Sequence, residues 1–111
     1  MGHVNKELMK GSTIIMILSL LDRKPMYGYE ITKEIERLSS GLFLLKEGTL
    51  YPLLHGLEAE NEVEAYWSET DGRKRKYYIL TEHGRQKLGE KKQEWALFHR
   101  TVDRVLGEGN V

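Results

Sequence analysis

Between Val63 and Leu80 the chain changes rhythm. Val63, Ala65 and Trp67 alternate with Glu64, Tyr66 and Ser68, a two-residue repeat that belongs to an extended strand. Asp71-Gly72 then supplies the residue pair favoured by tight hairpin turns, and Arg73 to Leu80 forms the return strand, so the stretch predicts a β-hairpin. The segments on either side of it follow the helical period. An isolated hairpin cannot hold itself together, so helices must supply the core beneath it. The chain is thereby restricted to a mostly α fold with one small β-hairpin, and 111 residues leave room for a single core.

The helices before the hairpin are short. Leu8, Met9, Ser12, Ile15, Met16 and Ser19 recur at three- and four-residue spacing, and Ile14, Ile17, Leu18 and Leu21 widen the apolar arc. This predicts a first, mostly buried helix over 5–21, stopped by Asp22-Arg23-Lys24-Pro25, since the residue before Pro is driven out of the helical region. A tight connection leads to a second helix over 28–38, with Ile31, Ile35 and Leu38 on one face and Lys33, Glu34, Glu36 and Arg37 on the other. Leu42 to Leu45 reads as a brief strand, and a third helix over 47–60 carries the stripe Leu50, Leu53, Leu54 and Leu57. Asn61 suits the left-handed residue that closes such a helix. After the hairpin, Thr81 is a good N-cap for a last helix reaching about Leu106, although Gly84 stands where a capping-box Glu would be. At ~1.5 Å per residue that helix is ~37 Å long, too long to pack wholly on so small a core.

Several function classes are excluded at this stage. With no Cys there is neither a disulfide nor thiolate chemistry nor a Cys-based metal site, which fits a reducing compartment. The longest apolar stretch, Ile14 to Leu21, is eight residues interrupted by Ser19, against the roughly 20 that span a bilayer. Met1-Gly2-His3-Val4-Asn5-Lys6 has no signal-peptide pattern, so a cytoplasmic location is expected. His3, His55, His83 and His99 lack metal-ligand spacing, no nucleophile stands in a catalytic context, and Gly48-Thr49 lacks the strand and Lys of a phosphate loop. The expectation is a non-enzyme with no cofactor and no metal.

Three short helices followed by a hairpin describe a winged helix-turn-helix, whose third helix enters a DNA major groove while the hairpin reaches a flanking groove. Lys+Arg and Asp+Glu balance at 17 each, so a positive field can only be local. Six acidic and no basic residues lie from Glu58 to Asp71, and four consecutive basic residues, Arg73 to Lys76, follow the turn. Lys46, Thr49, Tyr51 and His55 on the third helix can hydrogen-bond phosphate or base edges. The same features admit other roles: charge on an edge strand guards against aggregation, Tyr51 can pack beneath the hairpin, and a basic hairpin can grip an acidic protein, which would make the domain a protein-interaction module without DNA binding.

The sequence Tyr27-Gly28-Tyr29-Glu30-Ile31, the sequence Gly48-Thr49-Leu50-Tyr51-Pro52 with Leu54 and Leu57-Glu58, and the run from Arg73-Lys74-Arg75-Lys76-Tyr77-Tyr78 through Ile79-Leu80-Thr81-Glu82-His83-Gly84 occur in this order. Over nearly its whole length the chain resembles the short, single-domain PadR-type transcriptional regulators. That pattern usually carries Gly at Asn61 and Pro or Ala at Gly48. The resemblance implies a homodimeric DNA-binding repressor, with a winged helix-turn-helix over 1–81 and a dimerisation helix and tail over 82–111. The expected DNA contacts are Tyr29, Lys33, Lys46, Thr49, Tyr51, His55, Arg73, Lys74, Arg75 and Lys76. On the last helix Leu88, Trp95 and Val102 repeat every seven residues, with Phe98 and Val105 in the complementary positions and Lys91 interrupting them, a coiled-coil-like seam for a second copy. Some regulators of this kind, as short as this chain, also hold flat aromatic or drug-like molecules between protomers on an aromatic residue of that helix. Trp95 matches the position, with Phe98 and His99 beside it; His99 stands where a carboxylate would be needed to balance a cationic ligand.

Overall fold

The fold is built on the face of the hairpin that carries Val63 and Tyr78, each about 1% exposed. Against it pack Ile17, Leu18 and Leu21 of the first helix, Ile31 and Ile35 of the second, and Leu50, Leu54 and Leu57 of the third. The computed structural model describes Met9 and residues 11–108. In chain order its elements are α1 (Thr13–Leu21), β1 (Met26–Tyr27), α2 (Gly28–Leu38), α3 (Glu47–Ala59), β2 (Val63–Thr70), β3 (Arg73–Leu80) and α4 (Glu82–Val105). The hairpin pairs antiparallel from Val63 opposite Leu80 to Thr70 opposite Arg73. Its turn takes φ of 53° at Asp71 and 74° at Gly72, the double left-handed conformation that matches strand twist.

Three expectations are corrected. The sheet has a third strand, β1, which pairs with β3 through Met26 opposite Tyr78 and Tyr27 opposite Tyr77, where a plain connection was expected. The strand expected at Leu42 to Leu45 is absent: Ser40 and Gly41 turn the chain at positive φ, the Ser39 hydroxyl accepts from the Phe43 N–H at 3.0 Å, and only Leu45 is buried. The first helix does not run unbroken, because Gly11 and Ser12 form a turn and α1 starts at Thr13, whose hydroxyl donates to the Met9 carbonyl at 2.9 Å. Asn5 to Leu8 and Lys10, the remainder of that expected helix, lie outside the described residues.

The junction from α3 to α4 shows how the small side chains serve the fold. Asn61 takes φ of 60°, which lets the Glu62 N–H reach back to the Leu57 carbonyl (2.9 Å) and the Asn61 N–H to that of Glu58 (3.0 Å), closing α3. The Thr81 hydroxyl donates to the Asn61 carbonyl at 2.6 Å and accepts from the Gly84 N–H at 2.9 Å, so one side chain caps α4 and ties it to the end of α3. Gly84 occupies its place because a Cβ there would run into the Glu62 carbonyl. Arg85 adds a surface link, its Nε donating to Asp22 at 3.1 Å beyond α1. Past Leu88, α4 buries no residue fully.

Gly84→Ala is expected to lower the unfolding free energy by about 1–3 kcal/mol, the usual cost of overpacking. Gly89→Ala, also on α4 but with open space around the added methyl, should raise it by up to about 1 kcal/mol through helix propensity. Urea unfolding of the two variants checks the opposite signs.

Candidate nucleic-acid interface

Burying Leu50, Leu54 and Leu57 turns the opposite side of α3 outward, so Lys46, Glu47, Gly48, Thr49, Pro52 and His55 are all exposed. Tyr51 lies between the two sides, half-buried, with its ring and hydroxyl against Gly28 at the start of α2, where an added Cβ would displace the phenol. Burial, and after it the carboxylate of Glu47 and the phenol of Tyr78, push the Tyr51 hydroxyl above its ordinary value, so it remains a neutral hydrogen-bond donor. Beside it the start of α2 is held by Glu30, which accepts from the Tyr27 N–H at 3.4 Å and pairs with Lys24 at 3.1 Å. Tyr29 projects into solvent, and the Lys33 ammonium lies 5.3 Å from its ring centroid and 3.6 Å from Glu36.

The register of the hairpin divides its basic residues between two faces. Tyr66 lies opposite Tyr77, Ser68 opposite Arg75 and Thr70 opposite Arg73, all on the face away from the core. There Tyr66 stacks on Tyr77 (5.7 Å, 15° between planes), Tyr27 meets Tyr77 edge-on at 5.4 Å, and the Arg75 guanidinium lies 4.6 Å from the Tyr27 ring centroid. Arg75 is thereby drawn toward the start of α2. Trp67 opposite Lys76 and Glu69 opposite Lys74 share the core-side face. Lys76 reaches across to Glu58 of α3 at 3.9 Å and lies 5.6 Å from the Tyr78 ring centroid. Arg73 and Lys74 stand exposed next to the turn, with no ion pair among the described residues.

One corner of the molecule therefore joins three elements through consecutive residues: Tyr27 touches the hairpin, Gly28 receives Tyr51 of α3, and Tyr29 faces solvent on α2. This is a helix-turn-helix whose hairpin is fixed beside the exposed side of its third helix. Residues 17–90 match the transcriptional regulator PadR-like family. The chain belongs to that family. It is 39% identical over 101 residues to an uncharacterised protein of Lysinibacillus sphaericus, covering 90% of this chain and 93% of the relative. To the transcriptional regulator Rv3488 of Mycobacterium tuberculosis it is 32% identical, covering 77% of each. The solved structure of a transcriptional regulator from Clostridium thermocellum superposes with a TM-score of 0.84 at 32% identity, over 89% of this chain and 97% of that one. A PadR-like regulator works by binding DNA and is not an enzyme.

The expected DNA-contact residues stand in unequal surroundings. Lys46 at the start of α3 and Thr49 and His55 on it are exposed, as are Tyr29 and Lys33 on α2. Arg73 and Lys74 are free on the hairpin, whereas Tyr51, Arg75 and Lys76 are each engaged within the protein. The aromatic row Tyr27, Tyr77 and Tyr66 that steadies the hairpin was not anticipated. Counting outward from the Asp71-Gly72 turn would have placed Tyr66 opposite Tyr77; the contribution of Tyr27 depends on β1, which no local signal marks.

On α4, Leu88 is corrected from the seam to the interior: it is 3% exposed and belongs to the protomer's own core. Trp95, Phe98, Val102 and Val105 remain exposed, Trp95 and Phe98 at 47% and 63%. Between α1 and α4 an open groove of about 640 Å³ is lined by Gly11, Ser12, Ile14, Ile15, Lys91, Glu94, Trp95 and Phe98. Glu94 is the carboxylate among the lining residues, and His99 lies 3.6 Å from Asp103. Among the described residues no group of side chains could hold a metal ion, and no helix is long and apolar enough to cross a membrane.

Tyr78, like Tyr51, is pushed above its ordinary value, by burial first and then by Glu58. Both phenols keep their protons in the folded state at a pH where the unfolded chain loses them, so their contribution is complete below about pH 10 and falls as pH rises through the raised folded values. Unfolding free energy should decline above about pH 10, and replacing both by Phe should flatten the decline. Denaturant titrations between pH 8 and 11 check this.

Proposed function

We propose that this PadR-like regulator is a cytoplasmic repressor that binds a pseudo-palindromic operator as a homodimer. The observation that carries the reading is the shared exposure of the outer side of α3 and of Arg73 and Lys74, which have no ion pair among the described residues, on a hairpin joined to α2 and α3 through Tyr27 and Gly28. Lys46, Thr49 and His55 would meet base edges or nearby phosphates in the major groove, with the Tyr51 hydroxyl at their border. Tyr29 and Lys33 would take phosphate from α2, and Arg73, Lys74, Arg75 and Lys76 would anchor the hairpin on the flanking backbone. Two-fold symmetry sets the half-sites about one helical turn, or a multiple of ~10 bp, apart.

Residues 1–81 would form the DNA-binding part and 82–111 the dimerisation helix with its tail. The apolar side of α4, with Trp95, Phe98, Val102 and Val105, supports pairing with a second copy, because one core cannot cover it. The groove against α1 supports a small planar aromatic ligand stacked on Trp95, with Phe98 and His99 nearby and Glu94 available to balance a positive charge. A ligand that favoured one spacing of the two α3 helices over another would release the operator.

Fragments of the source genome selected by the protein should contain a two-fold symmetric site, and affinity for it should fall steeply with salt. Arg73→Ala with Lys74→Ala removes four cations from the dimer and should reduce the slope of log affinity against log salt by about 3.6, as each phosphate contact adds roughly 0.9. Failure of the folded protein to enrich any fragment at low salt would sink this reading and favour a protein partner for the hairpin. Phe98→Asp with Val102→Asp should shift the sedimentation coefficient to that of a monomer and abolish binding to the symmetric site; an unchanged dimer would exclude α4 as the seam.

A further inference from the structure

Trp67 is the most exposed large apolar residue of the hairpin, and neither the core nor the expected contacts employ it. It is 62% exposed, although strand alternation puts it on the same face as Val63 and Ala65, the face that packs on the helices. The core ends before reaching it, so the indole stands on the α3 side of the hairpin, beyond the last buried residue. Lys76 lies directly opposite and is drawn toward Glu58 of α3, which marks this face as one wall of the angle between hairpin and α3. Lys74, unpaired among the described residues, is on the same face one step nearer the turn. The indole makes no aromatic pair among the described residues and is held by a strand paired along its full length.

We propose that Trp67 is a further DNA-contact residue: its indole face packs against the deoxyribose wall of the minor groove beside the site read by α3. The inference rests on the operator-binding reading above. Its chemistry complements that of the cations around it. Lys74 and Lys76 offer charge to phosphates on either side, while the sugar edge between phosphates is apolar and accepts a flat, rigid side chain. An aromatic surface raised on a hairpin and flanked by ammonium groups is thus matched to a nucleic-acid backbone. An acidic peptide would satisfy the lysines and leave the indole in water.

The test uses the full chain labelled with 5-fluorotryptophan and a duplex enriched from a random pool by the wild-type protein. The chain has two Trp residues, so the Trp67 fluorine resonance is assigned by its loss in Trp67→Phe. On saturation with duplex that resonance should shift. Trp67→Ala should bind roughly tenfold more weakly, as for loss of an aromatic anchor at an interface, and Trp67→Phe should recover most of the loss. The salt slope should be unchanged in both, since an indole releases no counterions; a variant that merely deformed the hairpin would lower it. An unmoved Trp67 resonance in a demonstrated complex, or wild-type affinity in Trp67→Ala, would overturn the contact and leave the repressor reading intact. A resonance that shifts with protein concentration alone would assign Trp67 to self-association instead. If no duplex is enriched at all, the operator-binding reading fails and takes this contact with it.

Discussion

The packing of the Tyr51 ring onto the backbone of Gly28 sets how the start of α2 lies against the middle of α3, and with it the candidate DNA-binding corner. A Cβ at Gly28 would occupy the space of the phenol, so the start of α2 and the middle of α3 lie as near to each other as chain and ring allow. Gly28 is preceded by Tyr27, which belongs to the sheet and touches both Tyr77 and Arg75. The contact that sets α2 against α3 and the one that ties the hairpin to α2 therefore lie on adjacent residues, Gly28 and Tyr27. A displacement at this corner would move helix and hairpin together, because close-packed interiors shift between discrete arrangements and do not deform smoothly.

How far the sequence revealed this depends on whether the controlling chemistry is local. The Asp71-Gly72 turn, the left-handed Asn61 and the Thr81 cap were all legible, because each is decided by side chains within three or four residues of where it acts. β1 was not, since a strand of two residues has no period and exists only because β3 offers it an edge. The opposite error at Leu42 to Leu45 has the same origin: an apolar run was read as a strand, but Ser40 and Gly41 turn it aside and the sheet is completed elsewhere. The position of Gly84 was noticed as a missing half of a capping box. Its reason, the Glu62 carbonyl, lies 22 residues away in sequence and only the folded chain brings it there.

The candidate interface divides in the same way. Composition located the cations but could not allot them. Register and tertiary packing turned Arg75 to Tyr27 and Lys76 to Glu58 and left Arg73 and Lys74 unpaired among the described residues. The heptad spacing on α4 put Leu88 in line with Trp95 and Val102, yet the helix leaves the protomer's core between the first of these and the second. One stripe thus serves two environments, an interior at its start and an open face farther on. Periodicity cannot mark that change, because the side chains on both parts are equally apolar.

The segregation of charge on the hairpin bears on how such a regulator finds its target. With acidic and basic groups balanced over the whole chain, and with Arg73 and Lys74 beside one turn as the hairpin's exposed cations without an ion pair among the described residues, the proposed interface would hold random DNA through few phosphates. On that reading residence on unrelated sequence would be brief, and long one-dimensional slides would be disfavoured relative to repeated encounters from solution. Occupancy of the right site comes to depend on short-range contacts made by α3, so a small number of protein copies need not be sequestered by the bulk of the genome.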